Sequence, residues 1–282
     1  MNSKSEVGLP ELGELVDREG ARDRARGILI GLAAGDRIGG PVRMAMRVAE
    51  SLAETQAFEA DDILSRYLAW YREGAFDTGR VTELVLRRIA EGEDPYGALF
   101  AADRECAGRT AGCNAAHRVG PSAMASFLSD EQLPSVALEE ARLTHLHPLA
   151  GDVAAATAVL CRALIRGRSW SEALAVAAEG RLPETANALL GNAERKQLRH
   201  GGFAPDVLQA AVLFTGQAET FEGALTAALA FAGAPNYSPV LVGAIAGARW
   251  GAKAIPEREV AHCDVLHRVA TTARELAAAW DG

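Results

Sequence analysis

Apolar positions recur with a helical period almost from end to end of the chain. Ile28, Leu29, Leu32 and Ala33 fall on one face of a first long helix that stops at Gly35. Met44, Val48, Ala49 and Leu52 mark a second. Asp61 and Asp62 open a third, which carries Leu64, Tyr67, Leu68 and Tyr71; acidic residues in a first turn complement the helix dipole. The same spacing predicts helices near Thr82–Ala90, Pro95–Arg104, Pro121–Leu128, Ser135–Leu143, Pro148–Ile165, Trp170–Ala178, Thr185–Asn192, Pro205–Leu213, Phe221–Ala230, Val240–Lys253 and Arg258–Ala279. Pro95, Pro121, Pro148 and Pro205 stand at or near helix starts, where a missing N–H costs little. Alternating strand patterns, a linker rich in Pro, Gly or Ser, and a fixed-period repeat are all absent from the pattern. It predicts an all-α, compact, multi-helix bundle rather than a solenoid.

Composition sharpens this picture. The 282 residues are 49% hydrophobic but only 6% aromatic; Ala and Leu, both strong helix formers, fill the difference. A chain of this length can bury most of its apolar surface in one core. The net charge of −8 provides no basic field for phosphates, so general nucleic-acid or membrane-surface binding is not expected. A small anionic ligand held by one or two arginines remains possible. Cys106, Cys113, Cys161 and Cys263 are scattered, with no CxxC pair, which fits a reducing cytoplasm rather than a disulfide framework. Residues 1–19 are polar and acidic, lack the apolar core of a signal peptide, and are expected to be a disordered tail before a single domain over 20–282. No stretch of about 18 uninterrupted apolar residues argues for a membrane span.

Candidate chemistry lies in the loops, where function concentrates on a rigid helical scaffold. Gly35–Pro41 places Asp36 among glycines that let a backbone approach a ligand; a plain helix C-cap is the competing reading. Thr110–Arg118 packs Cys113, Asn114, His117 and Arg118 together. Asn114 suits a ligand hydroxyl or a helix cap, His117 an acid or base, and Arg118 a phosphate or carboxylate unless it is merely solvated. Cys113 reads as a packed thiol. His145 and His147 flank the entry to the Pro148 helix, with Asp152 in its first turns. His-x-His without a third ligand is a weak metal signal, and capping or dipole roles compete. Asp61-Asp62 and Glu139-Glu140 read as solvated helix faces.

Taken in order, these pieces resemble the ADP-ribosylglycohydrolase family from Arg24 to about Glu257. Gly31-Leu-Ala-Ala-Gly-Asp36 with Gly39 is similar to the family's G-x-A-x-G-D-A-x-G opening. Gly74-Ala-Phe-Asp-Thr-Gly79 and the preceding helix follow. Cys113-Asn-Ala-Ala-His-Arg118 resembles G-N-G-A-A-M-R, Leu143-Thr-His145 with Pro148 resembles T-H-x-x-P, and Gly243-Ala-Ile-Ala-Gly-Ala248 resembles the closing glycine-rich helix. The resemblance implies the family's all-helical fold. It also exposes departures. Family enzymes hold two magnesium ions through T-D-D-T and G-G-D-x-D-T motifs. Here Gly39-Gly40-Pro41-Val42 stand where the first is expected, and Ala234 and Asn236 replace the aspartates of the second. Magnesium needs several hard oxygen ligands, so no magnesium or other cofactor is expected.

The resemblance therefore implies a divergent, metal-independent hydrolase of an ADP-ribosyl or nucleotide-type glycosidic substrate, free or protein-linked. Asp36, His117 and His145 are the expected catalytic groups. Asn114, Arg118, His147, Asp152, Asn236 and Tyr237 are the expected substrate contacts. Two alternatives stand beside it: a non-catalytic binder of ADP-ribose or a nucleotide, and a scaffold whose cleft has no ligand.

Overall fold

In the computed structural model, residues 17–233 and 237–281 are described. Residues 1–16 of the tail expected over residues 1–19, and the calls on Ala234 and Asn236, lie outside them, while Asp17, Arg18 and Glu19 cap and begin the first helix rather than forming a tail. Among the described residues, sixteen α-helices follow one another: α1 Arg18–Gly35, α2 Gly40–Thr55, α3 Ala60–Arg72, α4 Arg80–Ala90, α5 Pro95–Glu105, α6 Asn114–Arg118, α7 Gly120–Met124, α8 Leu133–Arg142, α9 Pro148–Ile165, α10 Trp170–Ala178, α11 Pro183–Leu190, α12 Ala204–Gln217, α13 Phe221–Ala232, α14 Tyr237–Trp250, α15 Glu257–Val260 and α16 Leu266–Ala278. The only extended pairing among the described residues is a single bridge between Gly112 and Phe203. The all-α expectation holds.

The boundaries follow local chemistry. α1 begins earlier than expected, at Arg18, because the Asp17 carboxylate accepts the Gly20 N–H, satisfying a free donor of the first turn. Asp94 and Ser169 cap α5 and α10 in the same way. The helix expected over Pro121–Leu128 is only one turn, since Ala125 turns extended. The long C-terminal helix is broken: Ala261–Val265 separate α15 from α16.

α1 and α14 run antiparallel in backbone contact. A Cβ added at Gly27, Gly31 or Gly35 would overlap the carbonyl oxygens of Gly247, Gly243 and Pro239 respectively. Only glycine permits that approach. α9 packs against this pair from another side and is nearly all buried. It has the length and hydropathy of a membrane span, but 89% of it is buried inside the protein, so it serves as a core helix. One continuous apolar cluster extends from Ala21 to Ala277. The close α1–α14 pair fixes where the polar loops meet, because the C-terminus of α1 and the N-terminus of α14 share one end.

Candidate active site

Asp36 follows the last residue of α1 and turns the chain into α2. Its carboxylate is buried and accepts three backbone N–H groups: Ile38 (3.1 Å) and Gly39 (2.7 Å) on Oδ1, and Val42 (2.8 Å) on Oδ2. Gly39 takes φ +111° to close the turn. Asp36 thus supplies an anion to the positive end of α2, and much of its accepting capacity serves the turn itself.

Beside it stands a carboxyl that sequence reasoning did not single out. Asp77 lies in the Phe76–Arg80 loop with φ +51° and lines a cleft of about 640 Å³ with Phe76, Gly79 and Arg80. Partial burial, then the neighbouring Asp36 carboxylate, push its pKa up to about 6, against the pull of the Gly40 N–H. A carboxyl whose charge is disfavoured by burial and by a neighbouring carboxylate is a recurrent feature of proton-transfer sites. The signals available in sequence were the loop's break between two amphipathic helices and its place in the Gly74–Gly79 stretch of the family resemblance.

Asn114 joins this loop to the next. Its Nδ2 donates to the Thr78 carbonyl at 3.2 Å, and it lies so close over Gly79 that a Cβ there would fall 2.7 Å from Nδ2. Asn114 is the first residue of α6, not its cap, because Cys113 holds that position. A Cβ placed on Gly112 would meet His145 Nε2 at 3.2 Å and Asn114 Oδ1 at 3.5 Å. His145 and Asn114 therefore converge on the Gly112 backbone.

His145 is buried, and its place at the end of a polar chain fixes its state. Glu140 Oε1 accepts from Arg118 Nε and from Tyr67 Oη, both at 2.6 Å. Arg118 Nη2 donates to Thr144 Oγ1 at 2.8 Å, and Thr144 Oγ1 lies 2.8 Å from His145 Nδ1. With its oxygen accepting from Arg118, the threonine hydroxyl donates onward to Nδ1. Burial, reinforced by the Arg118 charge, holds the His145 pKa down to about 3. His145 is thus neutral with its proton on Nε2, which has no partner and points toward Gly112.

Several expected roles are corrected by the same geometry. Arg118 and Glu140 side chains are 1% and 0% exposed; Arg118 is an internal anchor, not a phosphate contact, and Glu140 is not on a solvated face. His117 is buried beside the Tyr237 backbone at the start of α14; burial, helped by the Arg118 charge and opposed by that backbone, takes its pKa down to about 4, so its ring is neutral. His147 Nδ1 accepts the Leu149 N–H at 3.2 Å and caps α9. Asp152 accepts the Leu182 N–H (2.9 Å) and Arg181 (3.4 Å), tying α9 to the start of α11. Cys113 is buried and its thiol is pushed up to about 12, the inert state expected of it. Asp61 and Asp62 lie in the first turn of α3, and Asp62 pairs with Arg66 at 2.6 Å.

Tyr237 opens α14 beside these loops: its ring packs on Gly202, where a Cβ would sit 3.1 Å from it, and burial, then Cys113 and Asp77, raise its pKa. Gly202 in turn accepts the Cys113 N–H at 2.9 Å. Ile38, Phe76, Phe203 and Tyr237 are four of the exposed large apolar residues of the described chain. Each adjoins one of these glycine-bearing turns, giving the site a partly apolar rim.

Among the described residues, no group of three or more His, Cys, Asp and Glu side chains is placed to hold a metal ion. At the start of α2, where the first motif of a two-magnesium centre would stand, Gly39, Gly40, Pro41 and Val42 offer no side-chain oxygen, and Asp36 is engaged by three N–H groups. These residues do not fit a two-metal site.

The chain is similar to ADP-ribosyl-[dinitrogen reductase] glycohydrolase of Rhodospirillum rubrum, at 23% identity over 86% of this chain and 91% of the relative. It is also similar to ADP-ribosylarginine hydrolase Tri1 of Serratia proteamaculans (strain 568), at 24% identity over 93% and 81%. A solved structure described as an ADP-ribosylglycohydrolase-related protein complex superposes with a TM-score of 0.76 and 26% identity, over 92% of this chain and 99% of that one. The profile of the ADP-ribosylglycohydrolases matches residues 17–282. With the fold, the order of the loops and this match in agreement, the chain belongs to the ADP-ribosylglycohydrolase family.

Proposed function

We propose that this protein hydrolyses an ADP-ribosyl-type glycosidic bond without a metal ion, with Asp77 as the proton-transfer group. The observation that carries the reading is the Asp77 carboxyl, which lines the cleft and has its pKa pushed up to about 6 by partial burial and the neighbouring Asp36, in a loop that Asn114 holds through the Thr78 carbonyl. Cleavage at an anomeric carbon passes through a cationic, oxocarbenium-like centre. In this site Asp77 takes a proton from the attacking water as its oxygen bonds to that carbon. The bond to the departing nitrogen or oxygen breaks, and the proton passes to that leaving group. The negative field of Asp36 and Asp77 favours the developing positive charge. Neutral His145 donates from Nε2 to a ribose oxygen, and Asn114 Oδ1 accepts from a ribose hydroxyl. Tyr237 and Phe203 offer flat faces to a base. The relatives' names supply the substrate class: ADP-ribose joined to a protein side chain.

The test is product analysis with an ADP-ribosylated arginine substrate in excess chelator. Release of ADP-ribose that survives chelation, and falls at least 100-fold in Asp77→Asn, supports the proposal. Turnover that appears only with added magnesium overturns the metal-free mechanism. One observation favours a second reading: Asp36 spends its oxygens on the α2 turn, as in a protein that only binds. ADP-ribose affinity by calorimetry with no turnover in any condition identifies that non-catalytic binder. No rise in melting temperature with any nucleotide leaves the scaffold.

A further inference from the structure

A cavity of about 230 Å³ lies between α8, α9 and α10. It shares no lining residue with the Asp77 cleft. The His145 turn enters α9 at Pro148, and the cavity sits toward the other end of that helix: Ala163 on its wall is about 22 Å along the axis from Pro148. The helices give it apolar walls, with Leu133 from α8, Val159 from α9 and Val176 from α10. Beside these stand four guanidinium groups, those of Arg162, Arg166, Arg168 and Arg181, against two carboxylates, Asp130 and Glu179. In a chain of net charge −8, that local excess runs against the whole.

The donors divide into spent and unspent. Arg162 is spent: its five N–H groups go to the carbonyls of Ser122, Ala123, Ala125 and Leu128 and to Asp130, which is all a guanidinium has. Arg166 gives Nε and Nη2 to the same Asp130, at 2.8 and 3.0 Å, so one carboxylate answers two cations. Its Nη1 makes no hydrogen bond among the described residues. Arg181 gives Nη1 to Asp152 and Nε to the Glu179 carbonyl, leaving Nη2. The Arg168 guanidinium makes neither a hydrogen bond nor an ion pair among the described residues, and Glu172, the acid that feels its charge, is committed to capping α10 through Ser169. A cation just past the end of α9 complements the helix dipole with or without a ligand, which accounts for Arg166. It does not account for Arg168, nor for guanidiniums from α9 and from the connections at both ends of α10 lining one apolar-walled space.

We propose that this cavity is a second ligand site, for a small organic phosphate: a phosphomonoester on an apolar body of about one ring. The unspent N–H groups of Arg166, Arg168 and Arg181 donate to the phosphate oxygens in charge-assisted bonds, and the walls from Leu133, Val159 and Val176 take the body. The cavity is smaller than the roughly 300–1,000 Å³ that drug-sized ligands fill, so its ligand is smaller than the ADP-ribose assigned to the cleft. Glu179 is exposed and makes no ion pair among the described residues, so it is the lining charge that opposes an anion. The site does not depend on the function of the cleft.

Phenyl phosphate is the probe, titrated into the full chain by calorimetry and by methyl NMR. The methyl signals of Val159 and Val176 shift saturably with it. Inorganic phosphate, which lacks the ring, binds about tenfold more weakly, and benzoate, which has the ring but a single charge, about fivefold more weakly. Arg168→Gln weakens phenyl phosphate about tenfold, whereas Glu179→Gln tightens it roughly threefold. Both positions are at least partly exposed, so both variants keep the wild-type melting temperature. Asp77→Asn leaves the affinity unchanged. The proposal is overturned if phenyl phosphate gives no saturable shift at Val159 and Val176, or binds no better than inorganic phosphate or benzoate. An affinity indifferent to Arg168→Gln, or lowered by Glu179→Gln or Asp77→Asn, overturns it as well.

Discussion

Arg118 and Glu140 give the sharpest test of the site's construction. Both side chains are almost wholly removed from water, and Glu140 Oε1 accepts from Arg118 and Tyr67 at 2.6 Å each. Replacing Glu140 with Leu leaves a guanidinium buried without its counter-charge and a Tyr67 hydroxyl without its acceptor. Removing one partner of a buried pair costs about 3–5 kcal/mol. For a domain of this size each kcal/mol lowers Tm by roughly 2 °C or slightly more, so a fall of about 6–12 °C is expected. Replacing both, Arg118→Met with Glu140→Leu, removes the stranded charge along with its partner and recovers most of that loss, since apolar residues of similar volume commonly match a buried ion pair. Urea unfolding of the two single variants and the double variant at pH 7.5 closes the cycle. The reasoning is refuted if Glu140→Leu costs less than about 1 kcal/mol, or if the double variant is no more stable than the worse single one. It is also refuted if the double variant is fully stable but no longer binds ADP-ribose that the wild type binds. That last outcome would return Arg118 to the role of ligand contact that its sequence position first implied.

Other outcomes follow from the same structure. Asp77 has a folded-state pKa raised from 3.8 to about 6, so the folded protein binds this proton more readily. The stability it contributes is present below about pH 4 and is lost as pH rises through 6. Asp77→Asn therefore raises Tm at pH 7.5, and the two proteins converge near pH 4 in a calorimetric series. Gly31→Ala places a methyl against the Gly243 carbonyl, and overpacking against backbone costs about 3 kcal/mol or more. Gly74→Ala meets open space, so only its positive φ opposes it, at roughly 1 kcal/mol; denaturant midpoints separate the two. Asn114→Ala removes one ligand acceptor and the Thr78 bond, and weakens ADP-ribose binding about tenfold by calorimetry while the far-UV dichroism is unchanged.

The helices were legible because their signals are local. The four prolines and the apolar period place Pro148–Ile165 and Trp170–Ala178 to the residue, and Gly35 as the end of α1. The C-terminal break was not legible, since Ala261–Val265 carry no proline or glycine. Asn114 and His145 both approach the Gly112 backbone, a meeting that loop positions alone could not show. Arg118 was misread because its partner Glu140 sits on another helix, and helical spacing cannot report a pairing across the core. Glu140 looked solvated for the same reason. Asp77 escaped notice because what distinguishes it is the field of Asp36, and that field exists only once α1 and the Phe76–Arg80 loop are folded together. His147 and Asp152 were polar at a helix entry, where capping and ligand contact look alike in sequence.

The seam of glycines between α1 and α14 has a mechanical consequence. Two backbones in direct contact along three successive turns cannot slide or part without losing that contact all at once. The ends of these helices carry Asp36 on one and Tyr237 on the other, so that wall of the cleft moves as a single rigid body. Any opening that admits the bulky substrate proposed above must come from the loops bearing Asp77 and Asn114. Those loops meet each other through one 3.2 Å hydrogen bond, from Asn114 to Thr78. The cleft is a jaw with one fixed side, and that bond is where its movable side would first give.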